Sequence, residues 1–291
     1  MTKQFTFQKT ILVFFILNCF IYRAQQDLLV TQFWNLKSFY NPAAAGLNYK
    51  HQAALLARWQ WIGVNGAPDS QLASYSVKSD KLHGGLGLSY LHDKIGFSTQ
   101  NQFKVNYSYQ IQLKNESILS VGLAGGIANY RLDAVLVPPT SAIDPNLPVS
   151  FNQTNFIADF GIAYSHNKFN TGISVTQLNI QSNSDNYQYA EHFYVFADYI
   201  FGNVSGFQFK PQVLVRTDLV KMSGDINLTS FYKEKYSLGI GYRNRDAFCF
   251  NIGWDIKNKF RIGYSYDVTV SKLNNGVSGG SHEFVLGLLL K

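Results

Sequence analysis

From Phe103 to Lys114 the sequence reads FKVNYSYQIQLK, and apolar and polar residues alternate through it without a break. A period of two places Phe103, Val105, Tyr107, Tyr109, Ile111 and Leu113 on one face of a strand, with Lys104, Asn106, Ser108, Gln110, Gln112 and Lys114 on the other. A run this long exceeds the usual soluble strand and suits a tilted strand crossing a bilayer. Strands span a membrane only when they close into a barrel, because an open edge would leave backbone groups unpaired in hydrocarbon. The pattern must therefore recur along the chain.

It does. Strands are expected over 52–62, 70–78, 84–92, 102–114, 117–131, 156–166, 168–178, 191–202, 206–217, 224–232, 235–244, 247–256, 259–268 and 281–290, with the alternation weakest in 70–78 and 224–232. The connections then sort by parity. Those after even-numbered strands are short: 79–83, 115–116, 167, 203–205, 233–234 and 257–258. Those after odd-numbered strands include 93–101, 132–155, 179–190, 218–223 and 269–280. Tight turns at one end and long loops at the other are the signature of an outer-membrane barrel with both termini in the periplasm, and a β-sandwich has no reason to alternate in this way. The fold class is all-β, a transmembrane antiparallel β-barrel of about 14 strands with short periplasmic turns and longer extracellular loops. Loop 132–155 holds four of the seven prolines (Pro138, Pro139, Pro145 and Pro148), so it cannot continue a ladder, and its length suits a lid or binding segment.

Composition agrees. Aromatic residues reach 15%, with 18 Tyr and 23 Phe, while charged residues are also 15%, against roughly 25% in soluble domains. Interfacial aromatic girdles around an uncharged band produce that balance. Lys3 and Lys9 precede the apolar run Ile11 to Tyr22 and then Arg23-Ala24, which reads as a secretory signal peptide over 1–24. Its removal takes Lys3, Lys9 and Arg23 and no acid, so the net charge falls from +7 to +4, which is no nucleic-acid signature. Only Cys249 then remains, and no intrachain disulfide can form. Residues 25–49 alternate poorly and end in Asn41-Pro42 and a run of small residues; they read as an N-terminal periplasmic arm, tucked at the mouth of a barrel over 50–291.

With the apolar set facing lipid, the charges inside strands fall on the lumen face: Arg58, Lys104, Asp159, Asp198, Lys210, Arg216, Arg243, Asp255, Arg261, Asp267 and Glu283. A charge facing lipid at mid-depth would cost about 2–4 kcal/mol. Arg131 is the exception, at a strand end where that cost fades. Asp255 and Arg261 flank the turn 257–258 and should oppose each other as an ion pair. Arg58 on the first strand and Glu283 on the last should meet at the closure seam, with Asp267 beside them.

Signs of catalysis are sparse. No phosphate loop, HExxH or CxxC pattern is present, and Gly84-Gly85-Leu86-Gly87 has no helix behind it. Glu191-His192 and His282-Glu283 are neighbours in strands and point to opposite faces, so neither pair chelates a metal alone. Lumen acids such as Asp159, Asp198 and Glu283 come with no nucleophile motif and read as a structural charge network. Neither a catalytic centre nor a cofactor is expected.

Several stretches resemble one family. Asn41-Pro42-Ala43 with Gly46 is similar to an N-terminal NPAxxG, and Arg58-Trp59-Gln60-Trp61 followed by Gly66-Ala67-Pro68 resembles a first hairpin of the form RxQW…GxP. Gly85-Leu86-Gly87-Leu88 with Asp93-Lys94-Ile95-Gly96 resembles its second hairpin. Gly172-Ile173-Ser174-Val175, Gly241-Tyr242-Arg243, Tyr264-Ser265-Tyr266-Asp267 and Gly280-Ser281-His282-Glu283 follow in order. Together these resemble the PorP/SprF family of outer-membrane proteins from the type IX secretion and gliding machinery of Bacteroidetes. The resemblance implies a non-enzymatic barrel in the outer membrane that supports secretion or cell-surface attachment of a partner protein of the gliding-adhesin type. The implied partners are a secreted surface protein carrying a sorting C-terminal domain, periplasmic type IX components and outer-membrane lipid. A FadL-like or porin-like channel for small solutes is the alternative, and a barrel hydrolase a more distant one.

Overall fold

The computed structural model describes residues 28–133, 150–180, 187, 189–257, 259–271 and 278–290. Its strands are β1 (His51–Trp59), β2 (Asp69–Ser79), β3 (Gly84–Ile95), β4 (Ser98–Gln112), β5 (Ile118–Leu132), β6 (Phe151–His166) and β7 (Phe169–Asn179). The second half continues with β8 (His192–Tyr199, resumed at Phe201–Gly202), β9 (Phe207–Thr217), β10 (Met222–Tyr232), β11 (Tyr236–Arg243), β12 (Ala247–Ile256), β13 (Phe260–Thr269) and β14 (Ser281–Leu290). Every strand pairs antiparallel with its sequence neighbours, and β14 pairs with β1, so the sheet closes and no edge remains. The result is a 14-stranded antiparallel barrel of the outer-membrane type. No helix among the described residues is long and apolar enough to cross a membrane, which leaves the barrel, whose type crosses with strands, untouched.

The period-two pattern sets the facing. Leu55, Leu123, Ile173, Ile226, Leu238 and Ile252 are exposed on the outer wall, whereas Arg58, Lys104, Asp159, Arg243, Asp267 and Glu283 are buried in the lumen. Arg131 stands outside at the end of β5, largely exposed and paired with Asp133 at 2.8 Å. At the short-turn end, Asn115–Glu116 and Lys233–Glu234 take positive φ at both positions. That is the backbone twist a tight hairpin needs to match its right-handed strands.

Two expectations need correction. The loop placed at 93–101 is a tight turn at Gly96–Phe97, because β3 runs on to Ile95 and β4 starts at Ser98. Once a hairpin leaves the bilayer its outward face no longer has to be apolar, so strand continues where the alternation stops. The arm is not confined to the periplasmic mouth. From Leu28 to Leu47 it passes down the lumen as a turn of 3-10 helix (Phe33–Asn35), one turn of α-helix (Lys37–Tyr40) and another 3-10 turn (Pro42–Ala44). Val30, Phe33, Leu36, Phe39 and Tyr40 pack there against Leu56, Leu72, Tyr194, Phe196, Leu214 and Val285 of the wall. The hydrophobic core of this membrane protein lies inside its barrel. The segment 1–24 and residues 134–149 of the proline-rich loop lie outside the described residues.

Candidate functional site: the filled lumen

The upper, extracellular third of the lumen carries an arc of buried charges that alternate in sign. Glu283 meets Arg58 at 3.2 Å, Arg58 meets Asp267 at 2.7 Å, and Asp267 meets Arg243 at 3.1 Å. Arg243 continues to Asp225 at 2.7 Å, and Asp225 contacts Arg216. Arg58 and Glu283 face each other directly in the β1–β14 register, at the seam. Each of these charges would be costly to bury alone, and each is matched by an opposite one in charge-assisted contact.

The arm is latched into this arc at Thr31. Its hydroxyl donates to Asp267 at 2.8 Å and accepts from Arg58 at 3.2 Å and Arg243 at 3.1 Å. The backbone N–H groups of Thr31 and Gln32 donate to the two oxygens of Glu283, both at 2.8 Å. The Leu28 carbonyl accepts from Arg216 at 2.9 Å.

Further down, the wall grips the arm on all sides. Lys37 pairs with Asp198, which also holds Lys210 at 3.1 Å and accepts from Asn170 at 3.1 Å. Lys104 pairs with Asp159 at 2.7 Å, donates to the Phe39 carbonyl at 3.2 Å and lies 4.4 Å from the Phe39 ring centroid. The other Asp159 oxygen accepts from the Gln177 N–H at 2.9 Å, beside the register shift between Ala158 and Phe160. A carboxylate there takes over a ladder bond that the bulge breaks. Asn41 caps the lower 3-10 turn by accepting from Ala43 N–H at 2.9 Å, and it donates to the carbonyls of Ile162 (3.1 Å) and Ile173 (3.0 Å). A Cβ at Gly161 would lie 2.1 Å from Asn41 Oδ1, so glycine leaves the room this contact needs. Near the periplasmic mouth, Asp255 and Arg261 form a bidentate pair with both contacts at 2.6 Å, and Arg261 also donates to Asn35 at 3.0 Å.

Sequence reasoning named Arg58, Asp255, Arg261, Asp267 and Glu283. The structure brings Arg58, Asp267 and Glu283 together in the upper arc and Asp255 and Arg261 together at the opposite end of the lumen. Sequence reasoning missed Thr31 and Lys37, which belong to a segment without strand alternation, and Asp225, which follows Gly224 at the weakly patterned start of β10; it quoted Asn41 in the NPA stretch but gave it no contact. Above the arm lies a cavity of about 250 Å³ lined by Leu28, Phe39, Asp93, Lys104, Tyr187 and His192. Both ring nitrogens of the buried His192 lack a hydrogen-bond partner among the described residues. Burial pushes the hydroxyls of Tyr187 and Tyr189, in the loop above, well up from the usual phenol range. No cluster of three or more metal-ligating side chains forms among the described residues.

Over residues 22–288 the sequence matches the family described as type IX secretion system membrane protein PorP/SprF. The chain belongs to the PorP/SprF family. No curated protein matches it. Among solved structures, this PorP/SprF barrel is similar to the Acinetobacter baumannii outer membrane protein Omp33, with a TM-score of 0.50 and 10% identity over 84% of this chain and 100% of that one. It is also similar to CymD, a monoaromatic hydrocarbon channel, with a TM-score of 0.52 and 10% identity over 87% of this chain and 91% of that one. At such identity the likeness is one of fold. The family match spans the arm, with its NPA turn, as well as the wall.

Proposed function

We propose that this PorP/SprF barrel supports secretion or cell-surface attachment of a partner protein as a closed platform in the outer membrane, and does not serve as a conduit for small solutes. The observation that carries the reading is the lumen filled by the chain's own segment from Leu28 to Leu47, almost all of it buried. A solute channel needs a continuous wet path, whereas here aromatic and aliphatic side chains of the arm pack against the wall. A platform needs rigidity, and the latch at Thr31 together with the pairs around Lys37 and Lys104 supplies it. The partner that fits the family is an exported surface protein with a sorting C-terminal domain, delivered with the help of periplasmic type IX components.

Two measurements test this. Deleting the gene should remove a large surface protein from the cell exterior, and re-expression should restore it; unchanged surface display would overturn the reading. Liposomes containing the purified barrel should swell in small sugars no faster than protein-free liposomes. Rapid swelling would favour the FadL-like or porin-like alternative.

A further inference from the structure

The two rims of the barrel differ in charge. At the short-turn end, the turn 233–235 presents Lys233 and Lys235 against Glu234, and 257–259 presents Lys257 and Lys259 with no acid. The remaining turns at that end add Lys81 with Asp80, Lys114 with Glu116, and Lys168 alone. At the long-loop end the balance is reversed among the described residues: Asp69, Asp133, Glu191, Asp218 and Asp246 stand against Lys94, Arg131, Lys221 and Arg245. None of the lysines of turns 233–235 and 257–259 is held in an ion pair among the described residues.

These lysines stand beside lipid-facing rings. Phe207, Tyr232, Tyr236, Trp254 and Phe260 are all exposed on the outer wall at the same end. Phe207 and Tyr232 lie 5.0 Å apart across β9 and β10, and Tyr236 and Trp254 6.5 Å apart across β11 and β12. The Lys233 ammonium lies 5.1 Å from the Tyr232 ring centroid. Interfacial aromatics mark the level of the headgroups, and a lysine whose stem covers such a ring holds its charge at the level of the phosphates.

We infer that the β9–β13 sector of the periplasmic rim binds anionic phospholipid headgroups of the inner leaflet and thereby anchors the barrel at a fixed depth. Zwitterionic lipid offers these lysines no net counter-charge, whereas a phosphatidylglycerol-type headgroup does, and the attraction decays within a Debye length of the surface. An acidic periplasmic protein would also attract lysines, but it would meet only the turn tips. The rings interleaved with these lysines belong to the lipid-facing wall. The inference depends on the short turns facing the periplasm and is independent of which partner the barrel serves.

The test uses the full-length barrel in nanodiscs of phosphatidylethanolamine with or without phosphatidylglycerol. Lipid retained after extraction, read by mass spectrometry, should be enriched several-fold in phosphatidylglycerol over its bulk fraction at low salt. The unfolding temperature should be higher with phosphatidylglycerol than without, and both effects should shrink at high salt. Changing Lys233, Lys235, Lys257 and Lys259 to Gln together should bring the retained lipid to the bulk ratio. A control carrying Lys94→Gln and Lys221→Gln at the other rim should keep the enrichment. Retention at the bulk ratio by the unaltered barrel would overturn the inference, as would equal loss in both variants. So would a rim variant that keeps its lipid preference and instead loses an acidic periplasmic protein.

Discussion

Removing the Arg58 side chain would leave Glu283, almost fully buried, without its cation, and Asp267 with Arg243 alone. Breaking a buried pair from one side typically costs about 3–5 kcal/mol, since the remaining charge stays desolvated. Arg58→Ala should therefore lower the unfolding temperature sharply, read as the temperature at which the compact band on an unheated gel is lost. Arg261→Ala removes a pair with better access to water, and its cost should be smaller, roughly 1–3 kcal/mol. Equal, small effects from the two would sink the idea that the seam arc fixes the register of closure. Thr31→Val makes a different point. It keeps shape and removes only the hydroxyl that Arg58, Arg243 and Asp267 share, so a loss of roughly 1–3 kcal/mol is expected, with Thr31→Ser largely spared. If Val and Ser variants melt together with the unaltered protein, Thr31 is not a latch.

At the scale of elements, the strands were legible because a lipid-facing wall forces the sequence to alternate, and even the weak candidates 70–78 and 224–232 correspond to β2 and β10. The arm was not legible for the converse reason. A segment packed on all sides by a cylinder has no lipid-facing side, so Val30, Phe33, Leu36 and Phe39, three residues apart, show none of the period-two alternation that marks the wall, and nothing local distinguishes a plug from a tail. Its imprint is on the wall instead. A Cβ at Gly122 would lie 2.2 Å from the Ala43 backbone nitrogen, and one at Gly85 would lie 2.2 Å from the Ala45 carbonyl oxygen. Glycine at these lumen positions lets the lower turn of the arm touch the sheet. Gly85→Val and Gly122→Val should each cost about 1–3 kcal/mol by overpacking. Gly125→Ala, whose added Cβ meets nothing within 4 Å, should melt like the parent. Urea or thermal unfolding of the three variants side by side decides it; a Gly125 effect as large as that at Gly122 would mean that strand propensity, not the arm, explains the losses.

For the whole molecule, the charge pairs reveal how far the wall depends on what it encloses. Arg58 with Glu283 and Asp267, Arg243 with Asp225, Lys104 with Asp159 and Arg261 with Asp255 all join one strand of the wall to another. Among the described residues only the Lys37–Asp198 pair joins the arm to the wall, and Asp198 keeps Lys210 when Lys37 is gone. Excising residues 28–46 would therefore leave the wall charges paired, while polar lumen side chains such as Asn106, Ser108 and Ser120 exchange their contacts with the arm for water. The apolar packing of the arm is lost, so the shortened barrel should unfold at a lower temperature yet still assemble, because closure rests on β1 pairing with β14. Its lumen should then conduct. In planar bilayers the intact barrel should stay near background, and the excised one should show stable stepwise ion currents. An excised chain that never yields a heat-modifiable band would mean that the arm is needed to close the barrel, and identical currents from both forms would mean that the arm does not seal it.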